Sequence, residues 1–173
     1  MPPRLVVEAR PGAGKTTAFR RLAELMRESG APTKGFTTEE LRERGRRVGF
    51  VVESLGGARE TLAHVELPGP PRVGRYGVDL EAFERVALPA LRASSGDVVL
   101  VDELGKMELA SAGFRAAVEE LVEAPVALAM TVQVARHPLT DRLRGRPDVE
   151  VIRLTARNRD QLPEELAERL LGS

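Results

Sequence analysis

The sequence predicts an α/β fold, a three-layer arrangement in which helices cover both faces of a largely parallel sheet with an antiparallel margin. Three observations carry this. Strand-like and helix-like stretches alternate along the chain, the pattern of parallel strands joined by crossover helices. The run Asp97-Val98-Val99-Leu100-Val101-Asp102 is apolar throughout its middle rather than alternating, as a strand buried on both faces must be. A glycine-rich turn, Pro11-Gly12-Ala13-Gly14, stands directly between a strand pattern and a helix pattern.

Taken in order, Arg4-Leu5-Val6-Val7-Glu8 reads as a short buried strand. The helix after the glycine-rich turn should run from about Thr16 to Glu28, with Phe19, Leu22, Ala23 and Met26 on one face. Ser29-Gly30 ends it, and Pro32 bars continuation. Lys34 to Leu55 reads as two strands around the turn Glu43-Arg44-Gly45, and these should form the antiparallel margin. Residues 56–78, rich in glycine and proline, should be loops and short strands at one edge. A helix is predicted from Asp79, a good N-cap, to Ala93, with Pro89 producing a kink or an early end. The strand ending at Asp102 follows the turn Ser94-Ser95-Gly96. Next come a helix with Phe114, Ala117, Val118 and Leu121 on one face, strands at Pro125–Val134 and Val149–Leu154, and a last helix carrying Leu162, Leu166 and Leu170.

Composition narrows the function classes. At 173 residues, the chain is expected to be a single domain, 1–173, with a sizeable core. Lys plus Arg and Asp plus Glu number 26 each, so the net charge is zero, which argues against holding nucleic acid through a general basic field. Cysteine is absent and there are two histidines, which excludes disulfides, thiolate zinc sites and a Cys nucleophile. No apolar run approaches the roughly 20 residues that span a bilayer, and Met-Pro-Pro-Arg enters a strand without a signal-peptide pattern. A cytoplasmic monomer with no membrane or nucleic-acid partner is the expectation. Arginine outnumbers lysine 23 to 3, and there are one Asn and two Gln. Heat adaptation and a GC-rich genome both account for that bias.

Ala9-Arg10-Pro11-Gly12-Ala13-Gly14-Lys15-Thr16 fits the phosphate-loop pattern of Ala or Gly, four residues, then Gly-Lys and Ser or Thr. Glycines there let successive backbone N–H groups converge on phosphate oxygens, and the positive end of the following helix faces the same hollow. Lys15 can reach the β- and γ-phosphates, and the Thr16 hydroxyl can ligate Mg²⁺. At the end of the second buried strand stand Asp102 and Glu103. In P-loop enzymes the first carboxylate holds Mg²⁺ and the second takes a proton from the attacking water. Lys106, one of three lysines, is a candidate second cation over the phosphates; Met107 is expected to pack.

Several stretches in fixed order resemble one family: Pro11–Thr17, Gly35-Phe36-Thr37-Thr38-Glu39-Glu40-Leu41-Arg42, Arg47-Val48-Gly49-Phe50, Val73–Val78, Asp102-Glu103-Leu104-Gly105-Lys106-Met107-Glu108-Leu109, and Asn158-Arg159-Asp160. The chain looks like the thermophile-type nucleoside-triphosphatases, called cancer-related nucleoside-triphosphatase in animals. The resemblance implies a RecA-like P-loop fold and Mg²⁺-dependent hydrolysis of ATP, GTP, CTP, UTP and other nucleoside triphosphates to diphosphate and phosphate. It assigns nucleotide binding to Ala9, Arg10, Pro11, Gly12, Ala13, Gly14, Lys15, Thr16 and the adjoining Thr17. The second binding segment is Val98, Val99, Leu100, Val101, Asp102, Glu103, Leu104 and Gly105. Two positions depart from the family pattern: Ala9, where the first glycine is usual, and Thr37, where Tyr is common.

Lesser candidates are open to two readings. Glu40 and Arg42 either line the cleft or are hairpin surface charges. Thr131 either senses the γ-phosphate or supports a strand end. Arg136, Arg142, Arg144 and Arg146 either include an arginine finger or form a solvated basic loop. Asn158 either caps the last helix or meets the base, while His64 and His137 are expected at the surface. Two rival functions use the same loop: a nucleotide or small-molecule kinase, and a slow nucleotide-dependent switch. A kinase needs no water-activating carboxylate after the metal-binding one, so Glu103 favours hydrolysis.

Overall fold

The strand predicted from its unbroken apolar run lies near the middle of a nine-stranded sheet. The computed structural model describes residues 1–172. In chain order its elements are β1 (Arg4–Glu8), α1 (Lys15–Ser29), β2 (Thr33–Glu43), β3 (Arg46–Ser54), β4 (Arg59–His64), β5 (Arg72–Val73), β6 (Tyr76–Val78) and α2 (Leu80–Ala90). Then follow β7 (Val98–Leu104), a 3-10 turn (Glu108–Ala110), α3 (Ala112–Glu123), β8 (Ala127–Val132), α4 (Pro138–Arg144), β9 (Glu150–Arg153) and α5 (Leu162–Leu170). The strand order is β5-β6-β4-β3-β2-β7-β8-β1-β9. From β2 to β9 all neighbours are parallel, and from β2 to β5 all are antiparallel.

Alternation along the central strands sends side chains to two cores, which makes the three layers. Leu5, Val7, Val98 and Leu100 face α1 and α5, where Phe19, Leu22, Met26, Leu162, Leu166 and Leu170 cover them. Val6, Val99 and Val101 face α2, α3 and α4. On that side Phe36, Phe83 and Phe114 meet edge to face, with ring centres 5.1 to 5.8 Å apart. Gly35 has no freedom to be anything else: with φ at 125°, a Cβ there would stand 1.8 Å from the Leu100 carbonyl oxygen of β7.

The element assignments agree closely with the sequence pattern. Asp79 caps α2 by accepting from Ala82 N at 3.0 Å. The helix then ends at Ala90, one residue beyond Pro89, the early end that proline predicts. Three differences matter. First, β7 does not stop at Asp102: it continues through Glu103 to Leu104, because Leu104 is fully buried and re-enters the ladder opposite Val132 after a register irregularity. Second, residues 138–144 are not a solvated loop. Pro138 opens α4, the His137 ring nitrogen Nδ1 accepts from Leu139 N at 3.0 Å, and Leu139 and Leu143 are buried one turn apart. Third, neither histidine is free at the surface: both are half-buried, and His64 Nδ1 accepts from Glu66 N at 3.1 Å.

The C-terminal ends of the parallel strands share one edge, and the turn after β1 opens there. Only Thr33–Phe36 of β2 pairs with β7; the rest of β2 continues past that edge with β3 as a hairpin wall. Arg20 of α1 is ion-paired with Glu39 of β2, which ties this wall to the first turns of α1.

Candidate nucleotide site

The loop between β1 and α1 is held open by two left-handed glycines, Gly12 at φ 81° and Gly14 at φ 92°. Ala13 N donates to Arg10 O at 3.1 Å and closes the turn. Gly14 occupies the N-cap position of α1 and brings no side-chain acceptor, so the first N–H groups of the helix have no capping partner. Ala9 is buried in the core beside α1, which is compatible with its lacking a side chain larger than methyl. Arg10, Pro11, Gly12 and Thr17 are exposed, while Ala13, Gly14, Lys15 and Thr16 are half-buried.

Across from the loop stand the carboxylates of β7. Lys15 Nζ donates to Asp102 Oδ1 at 2.6 Å and lies 3.6 Å from Glu103 Oε2. Asp102 is fully buried; Thr131 of β8 donates to its Oδ1 at 2.8 Å, while its Oδ2 has no hydrogen-bond partner among the described residues. Burial works against the Lys15 ammonium, but Asp102 and Glu103 outweigh it and hold its pKa above the usual lysine value. For Glu103, burial is the largest influence. It raises the pKa against the pull of Lys15, and the negative charge of Asp102 adds to the rise. Val98, Val99, Leu100, Val101 and Leu104 are buried in the two cores, where they fix the strand that carries the carboxylates.

A third carboxyl joins these two. Glu108, at the start of the 3-10 turn, is 4% exposed. A Cβ on Gly105 would lie 2.9 Å from Glu108 Oε1 and 3.2 Å from Glu103 Cδ, so the absent side chain at Gly105 lets the two acids approach from either side. Burial, then the neighbouring Glu103, pushes the Glu108 pKa up to about 8. Nothing in the sequence pattern separates Glu108 from its run; its burial depends on how the turn folds back on Gly105, where Leu109 N donates to Gly105 O at 2.9 Å.

Other candidates find definite places. Thr131 is buried, and its hydroxyl donates to Asp102 Oδ1. Lys106 is exposed; its backbone N–H, not its ammonium, is held, by Gln133 Oε1 at 3.0 Å. Met107 packs against the core, as expected. Glu40 pairs with Arg42 and Arg47 along the hairpin, so the link from hairpin to α1 falls to its neighbour Glu39. The four arginines after β8 are all neutralised: Arg136 by Asp141, Arg142 by Glu119, Arg144 by Glu8, and Arg146 by Glu123 and Asp148. Asn158 does not cap α5, whose N-cap position is Gln161. Its side chain accepts from Thr155 N and donates to Arg153 O, both at 2.8 Å, and so fixes the turn between β9 and α5. Gly14 lies under Arg159 from that turn.

A loop of convergent N–H groups at a helix start, a lysine at its end and a buried strand presenting Asp-Glu at the same sheet edge define a P-loop nucleoside-triphosphatase fold. A family model described as NTPase matches residues 4–167. The cancer-related nucleoside-triphosphatase of Homo sapiens is 43% identical over 167 residues, covering 88% of each chain. The nucleoside-triphosphatase THEP1 of Thermotoga sp. (strain RQ2) is 36% identical over 165 residues, covering 94% of this chain and 92% of that protein. The crystal structure of THEP1 from Aquifex aeolicus superposes with a TM-score of 0.85 at 32% identity, over 96% of this chain and 98% of that one. The chain belongs to this NTPase family and is a nucleoside-triphosphatase.

Proposed function

We propose that the chain, working as one domain, hydrolyses nucleoside 5'-triphosphates to diphosphate and phosphate with little discrimination between bases. The observation that carries this reading is the Lys15 ammonium set 2.6 Å from Asp102 and 3.6 Å from Glu103 at the mouth of the glycine loop. The loop N–H groups hold the phosphate chain and Lys15 meets its developing negative charge. Glu103, kept basic by burial and aimed at the same point, accepts the proton of the attacking water. The Thr16 hydroxyl is a hard oxygen that would hold Mg²⁺, and the buried, unpartnered Asp102 Oδ2 is suited to receive a hydrated cation. Bound there, Mg²⁺ supplies charge neutralisation on the phosphate oxygens. Phosphate oxygens and water would supply the other ligands of such an ion.

A cytoplasmic monomer that binds nucleoside triphosphates and neither nucleic acid nor membrane fits the zero net charge. Among the described residues no helix is long and apolar enough to cross a membrane. The test is phosphate release from ATP, GTP, CTP and UTP without any acceptor, for the parent and for Lys15→Ala. The parent should hydrolyse all four within about a hundredfold, a spread of roughly 2.7 kcal/mol. Lys15→Ala should lose about two decades or more. Near-parent turnover in that variant would remove the assignment; release only in the presence of an acceptor would make the protein a kinase.

A further inference from the structure

A nucleotide whose phosphates lie in the 9–16 loop must leave its base on the open side of that loop, and a base out of water wants a flat partner. Aromatic rings cannot serve here. Phe19, Phe36, Phe83 and Phe114 are buried in the cores. Phe50 and Tyr76 meet edge to face, ring centres 5.3 Å apart, in the antiparallel margin, with the Arg47 and Arg75 guanidinium groups against the Tyr76 ring. No Trp exists. Both histidine rings are half-buried and held through Nδ1 by a backbone N–H. The remaining planar side chains of suitable size are guanidinium groups, and most of these are committed to acids.

Arg159 is not. Its guanidinium has no hydrogen-bond or ion-pair partner among the described residues, although it is surrounded by a chain in which arginines are widely paired. Its stem packs over the glycine that opens α1: the place of a Cβ on Gly14 is 3.4 Å from Arg159 Cδ and 3.9 Å from Nη1. The backbone beneath it is fixed, since Arg159 N donates to Thr155 O at 3.0 Å and Asn158 clamps the turn to β9. Arg10 is also exposed, but it stands at the start of the loop, four residues ahead of Gly14, and the side-chain atoms within 4 Å of a Cβ placed on Gly14 are those of Arg159.

We infer that the Arg159 guanidinium is the platform on which the nucleobase stacks. This deepens the hydrolase reading and rests on it. Stacking uses the π-face that every base has and reads no hydrogen-bonding edge, so one residue gives affinity to purine and pyrimidine nucleotides alike. The plane, not the charge, does this, because the phosphate charge is already met by Lys15 and the loop.

The experiment measures equilibrium binding and hydrolysis of ATP and CTP, and competition by inorganic tripolyphosphate, for the parent, Arg159→Ala, Arg159→Lys and Arg159→Trp. Arg159→Ala is expected to weaken both nucleotides about tenfold, equivalent to about 1.4 kcal/mol, with kcat within about twofold and tripolyphosphate competition unchanged. Arg159→Lys, charge without plane, should resemble the alanine variant. Arg159→Trp, plane without charge, should restore binding. Rescue by lysine, or equal weakening of tripolyphosphate, would make Arg159 a phosphate contact and overturn the inference. Unchanged nucleotide affinity in Arg159→Ala would overturn it as well. The hydrolase reading fails separately, by a parent that binds nucleotides without releasing phosphate, and the binding comparisons still decide the role of Arg159 in that case.

Discussion

Glu103 and Glu108 bracket Gly105, yet their surroundings differ. Glu103 is within 3.6 Å of the Lys15 ammonium, whose pull opposes the effect of burial on the carboxyl. Glu108 is enclosed, further from that cation, and pushed up to about 8. Two acids whose environments differ in this way can hold different protonation states side by side. On the function proposed above, the water-activating role belongs to Glu103, the half-buried one of the two. Glu103→Gln keeps the size and hydrogen-bonding capacity of the side chain and removes the base. Turnover in single-turnover hydrolysis should fall by about two to four decades, the usual worth of a positioned base. Binding of a labelled ATP analogue should stay within a few-fold, because Lys15, Thr16, Asp102 and the loop N–H groups are untouched. Hydrolysis at the parent rate would move the base elsewhere.

At the scale of elements, the signals that could be read were local ones. The glycine loop and α1, the Asp79 cap, the turn at Glu43-Arg44-Gly45 and the apolar run of β7 each state their conformation within a few neighbouring residues. What escaped depends on distant partners. The extension of β7 to Leu104 is decided by its pairing with Val132 of β8. α4 is only seven residues long, too short for a periodic pattern to stand out. The buried place of Glu108 and the seat of Arg159 over Gly14 are contacts made across the fold, and no spacing in the chain announces them. Ser111 shows how such an element is held. Its hydroxyl accepts from Phe114 N at 3.0 Å as the N-cap of α3 and donates to Glu84 Oε1 of α2 at 2.6 Å, while its side chain is buried. Ser111→Ala should therefore cost more than an exposed cap. A loss of about 2 kcal/mol in urea unfolding is expected, from the cap and the stranded Glu84 carboxylate together. A loss below about 0.5 kcal/mol would show that water replaces both bonds.

For the whole molecule, the site is a source of instability that the two cores must offset. Three acidic side chains and one lysine are withdrawn from water at the sheet edge, and Glu108 is the one with no cation in contact. Its pKa stands at about 8 in the fold against an ordinary 4.5, so the folded protein binds a proton there that the unfolded chain releases. Below pH 4.5 both states are protonated and nothing is lost. Between 4.5 and about 8 the unfolded chain ionises first, and stability declines as pH rises. Above that range both states are ionised and the loss is complete. Glu108→Gln supplies a neutral side chain of the same shape and should abolish this decline. At pH 5 its unfolding free energy should lie close to the parent's. At pH 9 it should exceed the parent's by about 3–5 kcal/mol, the linkage equivalent of the raised pKa. Urea unfolding of both proteins across that range is the measurement. A constant offset between them at every pH would mean that Glu108 is ionised in the fold at neutral pH and held by partners the buried setting does not display.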